Sequence, residues 1–330
     1  MPRRAKASAR TSLRDRVPIA GARTMRAHAR ALVTADIRLL GDRAKRHEPQ
    51  SARESQAFAT VDPPTSVIVG DCRDILPRLP ERGSVDLVFA DPPFNRGVRY
   101  DRWSDDLTRE AYERFTFDWM DACIATLSRR GSMWINVPDE IAAEAVLHGK
   151  RRGLHLMNWC IWHFRFGAHR RTGFIESKTH ALCLVRDPIR RIWNPDPILE
   201  PSDRSAVYED KRTRSKAGRG TLRVPLDVWY GPYWGRIHGK SLERRASHRN
   251  QLPEAYLERV ILASSDPGSL VLDPFCGSGT TSTVARAYGR PSISIEISPT
   301  TARNAWARIT ETGMVETGRA LSRPRRGKSS

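Results

Sequence analysis

Between about residues 67 and 309, short apolar runs alternate with longer stretches whose apolar residues recur at helical spacing. VIVG (67–70) reads as a short buried strand followed by a polar turn, DCRD (71–74). SVDLVFA (84–90) is a clearer strand. An apolar run that stops abruptly in Asp91-Pro92-Pro93-Phe94 fits a central strand of a parallel sheet, with the prolines ending the ladder. YERFTFDWMDACIATLSRR (112–130) predicts a helix with a basic end before Gly131. MWINV (133–137) predicts the next strand, IAAEAVLHGKRRG (141–153) a second helix, and LMNWCIWHF (156–164) and HALCLVR (180–186) two further strands. Regular order resumes with a helix at 253–265 opened by Pro253, a strand at 270–275 (LVLDPF) and a turn into a helix at 277–289. A strand at 291–297 (PSISIEI) and a helix at 300–309 complete the series. This alternation predicts an α/β fold: a mostly parallel twisted sheet with helices on both faces.

Three stretches fall outside that pattern. Residues 1–60 hold fourteen Lys and Arg, five Asp and Glu and a single aromatic, Phe58, and read as a basic arm with a weak helix near 25–40. Residues 311–330 read as a polar, basic tail. Residues 187–247 are rich in Pro, Arg, Trp and Tyr and lack a long periodic run. They are far longer than the 2–6 residues of an ordinary α/β loop. The chain therefore divides into an arm (1–60), a first part of the main domain (61–186), an insertion (187–247), a second part of the same domain (248–310) and a tail (311–330).

Charge adds a partner class. The 330 residues carry 56 Lys and Arg against 37 Asp and Glu, a formal net charge of +19, which attracts polyanions. An Arg-rich proteome would give the same balance. No window approaches 18 consecutive apolar residues, so no membrane span is expected, and cytoplasm is the default location. The five Cys (72, 123, 160, 183, 276) are scattered without a CxxC pair, and His163, His169 and His180 make no ligand set, so neither a disulfide framework nor a metal site is expected.

Two motifs carry chemistry. In Leu272-Asp273-Pro274-Phe275-Cys276-Gly277-Ser278-Gly279-Thr280-Thr281 a strand passes through a glycine turn into a helix. The glycines allow a tight turn and close approach of a ligand. Glu296, 17 residues past Gly279 at the end of the next strand, is placed to accept from a ribose diol. No GK[ST] follows, so an adenosine-containing ligand fits better than a phosphate loop. In Asp91-Pro92-Pro93-Phe94-Asn95 a carboxylate, proline carbonyls and a flat ring stand at the carboxyl end of a strand, where open α/β sheets place ligands. Such a set could hold a planar base with an amino group.

Together the motifs resemble those of the DNA amino-methyltransferases of the beta group, enzymes that modify adenine N6 or cytosine N4 with S-adenosylmethionine. The family's catalytic motif is (D/N/S)PP(Y/F/W), and its cofactor motif FxGxG is matched by Phe275-Cys276-Gly277-Ser278-Gly279. The catalytic motif comes first, a variable segment follows and the cofactor motif comes last. That order implies a circularly permuted Rossmann-like S-adenosylmethionine-dependent methyltransferase fold over about residues 66–309. The resemblance assigns Asp91, Pro92, Pro93 and Phe94 to catalysis. It places Asp71, Cys72, Asp91, Asp273, Phe275, Gly277, Ser278, Gly279, Thr280 and Glu296 around the cofactor. It adds His248, Asn250 and Gln251 from His248-Arg249-Asn250-Gln251-Leu252-Pro253, which departs from the family's His-Pro-x-Gln-x-Pro at Arg249.

The implied substrate is double-stranded DNA, with the insertion 187–247 as target reader. Asn95, Arg212, Arg214, Arg219 and Arg223 are the substrate-binding candidates. Trp229, Tyr230, Tyr233 and Trp234 either lie against the duplex or pack a small satellite core. Adenine N6 is the expected target because Asp opens the first motif; cytosine N4 is the alternative. The resemblance also implies a restriction-modification setting and leaves room for a homodimer, although no residue names a cognate restriction endonuclease. A methyltransferase for RNA or protein glutamine, an inactive DNA-binding relative and a plain α/β domain are the competing classes. Cys276 lies inside the cofactor loop and no Pro-Cys pair exists, so a cysteine nucleophile is not expected.

Overall fold

The computed structural model describes residues 56–164, 171–202, 222–230, 243 and 250–314. Its strands are β1 (Ala57–Val61), β2 (Pro64–Val69), β3 (Val85–Ala90), β4 (Leu127–Val137), β5 (His155–His163), β6 (Lys178–Val185), β7 (Glu200–Pro201), β8 (Leu222–Arg223), β9 (Val228–Trp229), β10 (Val271–Asp273) and β11 (Ser292–Glu296). Nine of them form one sheet in the order β1-β2-β11-β10-β3-β4-β6-β5-β9, and β7 pairs with β8 in a separate ribbon. The centre of the sheet, β2-β11-β10-β3-β4, is parallel throughout, and β1 and β6 join it antiparallel.

Six helices flank the sheet among the described residues: α1 (Cys72–Ile75), α2 (Arg109–Thr126), α3 (Asp139–Arg151), α4 (Glu254–Ser264), α5 (Thr280–Ala287) and α6 (Pro299–Glu311). The helical period of α2 buries Tyr112, Phe115, Trp119, Met120 and Cys123 against one sheet face, with α3 beside it and Val88, Met133 and Ile135 beneath. The alternate residues of the same strands, Leu87, Phe89 and Trp134, point the other way, onto α4 and α5. Central strands buried on both faces explain why they read as continuous apolar runs.

The structure departs from the sequence expectations in several places. Sheet order begins at Ala57 within the basic arm, because Phe58 stacks on Trp306 of α6 with ring centroids 5.8 Å apart. Residues 71–74 form most of the one-turn helix α1. Residues 127–130 leave the helix and start β4: Leu127 pairs with Val85, and Gly131 fits so closely that a Cβ there would lie 2.8 Å from the Val85 carbonyl. The last helix runs on to Glu311. Trp229 joins the main core rather than a satellite, 5.6 Å from Trp134 and 5.2 Å from Tyr256, while Tyr230 is exposed. Tyr233, Trp234, most of the arm, much of the insertion and the tail beyond residue 314 lie outside the described residues.

Candidate active site

Strands β3 and β10 are parallel neighbours, with Val271 opposite Leu87 and Leu272 opposite Val88. Their carboxyl ends therefore emerge side by side, and the motifs that follow them, about 180 residues apart in sequence, line one cleft of about 830 Å³. The cleft brings together Asp71, Cys72, Asp91, Pro92, Pro93, Phe94, Asn250, Gln251, Asp273, Phe275, Gly277, Ser278, Thr280 and Glu296. His248 lies outside the described residues, as do Arg212, Arg214 and Arg219.

The glycine turn is held from behind. Asp273, the last residue of β10, accepts from the Phe275 amide at 3.0 Å, and burial pushes its carboxyl up to about 7. Glu296 ends β11 and bridges two turns: Oε2 accepts from the Gly277 amide and Oε1 from the Ser298 amide, each at 2.9 Å. Burial raises Glu296 to about 7, with the two amides opposing. Gly277 takes φ 51° and Gly279 φ 75°, conformations that favour glycine. Gly279 does not line the cleft. It faces α6, where a Cβ would meet Ala305 Cβ at 3.1 Å, so it shapes the turn from behind.

Other candidate residues are also held by their neighbours. Burial tends to raise Asp71, but the hydrogen bonds from Arg73 outweigh it and hold the carboxyl below its usual value. That carboxylate caps α1 and pairs with Arg73 at 2.7 Å. Gln251 donates to the Glu243 carbonyl at 2.6 Å. Asn95, with φ 55°, clamps its loop: its side-chain amide donates to the Leu107 carbonyl at 2.8 Å and accepts from the Leu107 amide at 2.7 Å. Arg223 pairs with Glu200 at 3.6 Å, a carboxylate that Arg259 also holds.

At the Asp-Pro-Pro-Phe motif, Asp91 Oδ1 accepts from Asn136 Nδ2 at 3.1 Å, and Asn136 Oδ1 accepts from the Tyr256 hydroxyl at 2.5 Å. Desolvation at the floor of the cleft raises Asp91 to about 6, opposed by the Asn136 bond. The Pro93 carbonyl accepts from the Tyr112 hydroxyl at 3.1 Å. The loop after Phe94 is fixed by Asp105, whose carboxylate accepts from the amides of Asn95, Arg96 and Val98. Trp103, Phe115 and Phe275 make an aromatic wall, with centroid separations of 4.3 Å and 6.1 Å.

Sequence reasoning missed Asn136, Tyr256, Asp105 and Arg308. The first had a signal: an amide near the end of the apolar run MWINV. Arg308 on α6 is 3% exposed, pairs with Glu254 and donates to the Ser278 carbonyl and the Thr280 hydroxyl, bracing the glycine turn. All five cysteines are buried and free, and burial pushes the Cys276 thiol far above its usual range, which disfavours the thiolate. Among the described residues no group of three or more His, Cys, Asp or Glu is arranged for a metal ion, and no helix is long and apolar enough to cross a membrane.

The N6/N4 DNA methylase family model matches residues 85–306, a span that holds both motifs. The chain belongs to this family. Among its relatives, the methylase is 33% identical over 241 residues to the DNA adenine methyltransferase YhdJ of Escherichia coli (strain K12), covering 70% of this chain and 78% of that protein. It is 31% identical over 236 residues to the type II methyltransferase M.ScaI of Streptomyces caespitosus, covering 69% and 75%. The solved PvuII DNA methyltransferase (cytosine-N4-specific) matches with a TM-score of 0.57 at 15% identity, over 79% of this chain and 89% of that one. A putative DNA modification methylase of Thermus thermophilus, solved with S-adenosyl-L-methionine, matches with a TM-score of 0.51 at 22% identity, over 74% and 92%. These two structures share the Rossmann-like methyltransferase fold.

S-adenosylmethionine is the methyl donor of this family, and the residues here fit it. The aromatic wall suits a flat adenine, and the carboxylate of Glu296, fixed in the cleft by two amides, suits a ribose diol. The ionised form of Glu296 is the one able to accept from two hydroxyls. Donor affinity is therefore expected to be flat above about pH 8 and to fall as pH drops through 7, approaching about tenfold per unit. Asp91 and Asp273 titrate in the same cleft, so calorimetry on Glu296→Gln is the control. That variant should bind more weakly at pH 8 and lose most of the pH dependence; an unchanged profile would show that another group holds the ribose.

Proposed function

We propose that this methylase transfers a methyl group from S-adenosylmethionine to adenine N6 in duplex DNA at a defined site. The observation that carries the reading is the meeting of Asp91 and the Gly277–Ser278 turn in one cleft, at the carboxyl ends of adjacent parallel strands. Adenine is favoured over cytosine by the Asp that opens the catalytic motif and by the 33% identity to an adenine methyltransferase.

The amine of a nucleobase is a poor nucleophile because its lone pair is delocalised into the ring. When bound, the donor would supply a methyl carbon activated by a positive sulfur, and that sulfur would keep the C–S electron pair, as a neutral thioether, when the methyl leaves. The protein's part is positioning and electrostatic preorganisation. Asp91 Oδ2 accepts one N–H, the Pro92 carbonyl accepts the other and Phe94 stacks on the ring, which directs the lone pair toward the methyl carbon. Asp91 Oδ2 then receives the proton that the amine loses as its nitrogen gains the methyl group. A carboxyl near 6 is ionised at neutral pH and still basic enough for that role. The amine is out of reach inside a stacked duplex, so the base is flipped into the cleft.

The insertion is proposed to read the target site, with Arg212, Arg214 and Arg219 against the duplex. Alanine at a phosphate contact should weaken cognate and scrambled duplexes alike and lower the salt dependence, whereas loss of a base contact should cost about 1–3 kcal/mol on the cognate site alone. Binding measured at several salt concentrations separates the two. If all three variants match the parent, the reader lies elsewhere. The reaction itself is tested by nucleoside mass spectrometry on DNA from cells expressing the protein. N6-methyladenine that disappears with Asp91→Ala supports the reading, N4-methylcytosine moves the target to cytosine, and no methylated base overturns it.

A further inference from the structure

Asn136 and Tyr256 sit behind the catalytic carboxylate and are not part of the cleft wall. Asn136 lies at the carboxyl end of β4, next to β3, and is 1% exposed; Tyr256 opens the first turn of α4 and is 0% exposed. An amide in an apolar strand has a cost unless both of its ends are paired. Here both are. Tyr256 has a proton to give and Asn136 Oδ1 has none, so the hydroxyl donates and the amide nitrogen is forced toward Asp91. The flipped amide would set its oxygen against the ionised carboxylate of Asp91, two acceptors face to face, and would take the Asn136 oxygen away from the Tyr256 hydroxyl proton. Burial holds the Tyr256 phenol far above its usual range, so it remains a donor at every working pH.

We propose that Asn136, locked by Tyr256, is a positioning residue that engages Asp91 Oδ1, keeps the carboxylate anionic and leaves Oδ2 for the amine. The proposal rests on the assignment of Asp91 as acceptor for the target amine and names what orients that acceptor. Burial alone works against the charged form of Asp91, and the Asn136 bond is the named interaction that opposes it. Other titratable groups face the same carboxylate from Asp273 on β10, Tyr112 on α2 and Tyr100 in the loop after Phe94. Once ionised, Asp91 raises Asp273 in turn, and the two phenols, themselves raised, stay neutral. These groups are common to all variants below, so differences among them report the Asn136–Tyr256 chain.

The test is a titration of the Asp91 carboxyl by carbon-13 NMR on the full ligand-free chain, with the resonance assigned by its loss in Asp91→Asn. The wild-type midpoint is expected at about 6. Asn136→Ala should raise it by about one unit and Tyr256→Phe by less. Turnover gives the second readout: at pH 6 kcat of Asn136→Ala should fall about fivefold through protonation, and the gap should narrow above pH 8, with donor affinity unchanged. Coincident midpoints in the three proteins, or a loss of kcat equal at every pH, would overturn the proposal. A shifted midpoint in a protein that methylates no base would leave the chain of bonds standing and reject the function assigned to it. If Asn136→Ala fails to fold, Tyr256→Phe, which removes one oxygen, carries the same comparison.

Discussion

Asp91→Ala is expected to abolish methylation above background while donor binding stays within a few-fold of wild type. The side chain reaches the cleft at the point where an amine N–H needs an acceptor, and nothing else at the end of β3 supplies a carboxylate. Loss of one preorganised acceptor costs about 3 kcal/mol or more, roughly a hundredfold or more in rate. Stability should move the other way. The folded carboxyl is raised from its ordinary value of 3.8 to about 6, so the folded state takes up a proton more readily than the unfolded chain. The charged form therefore weighs against folding as pH rises from about 4 to 6, and that disadvantage persists at neutral pH. Asp91→Asn, which keeps an acceptor for Asn136, should match or exceed the wild-type Tm at pH 7 and lose activity all the same. A marked fall in Tm with proportional loss of activity would recast Asp91 as a structural residue.

Gly279→Ala is expected to disable the donor site without touching a ligand-facing atom. Gly279 caps α5 at φ 75°, where an L side chain carries about 1–2 kcal/mol of backbone strain. Its Cβ would also meet Ala305 Cβ at 3.1 Å and Ala305 Cα at 3.3 Å, so backbone of α6 would have to shift. The same helix carries Arg308, which holds the Ser278 carbonyl, and its N-cap Ser298 shares Glu296 with the Gly277 amide. Displacement of α6 should therefore disturb the turn from both ends. Donor affinity should fall about tenfold or more and Tm by several degrees. Ser278→Ala, with no added atoms, should change Tm far less. Equal affinities for Gly279→Ala and wild type, measured by calorimetry, would show that the turn tolerates the shift.

Both motifs could be read from the chain because each follows an apolar run directly, and a strand that ends in Asp-Pro-Pro or in a glycine turn announces its own boundary. Their adjacency could not be read from spacing. It depends on β10 pairing beside β3 across about 180 residues, a register set by sheet assembly. Nothing in the chain signalled that Asn95, beside the Asp-Pro-Pro-Phe motif, takes a left-handed backbone and clamps its own loop through Leu107. Nor could the pairing of Arg223 with Glu200 across the β7–β8 ribbon be read from the basic run in which it lies. Leu127–Arg130 kept helical spacing and basic character, yet pairing with Val85 prevailed. Asn136 carried a weak signal, and only its partners Asp91 and Tyr256, 45 and 120 residues away, give it a meaning.

The most direct test of the account is label transfer in vitro: purified protein, S-adenosylmethionine labelled in the methyl group, and duplex DNA from a source free of N6-methyladenine, digested to nucleosides and separated. Label is expected in N6-methyldeoxyadenosine with wild type and none with Asp91→Ala, although both bind the donor. Label-free DNA after incubation with donor-bound wild-type protein, or label retained in full by Asp91→Ala, would contradict it.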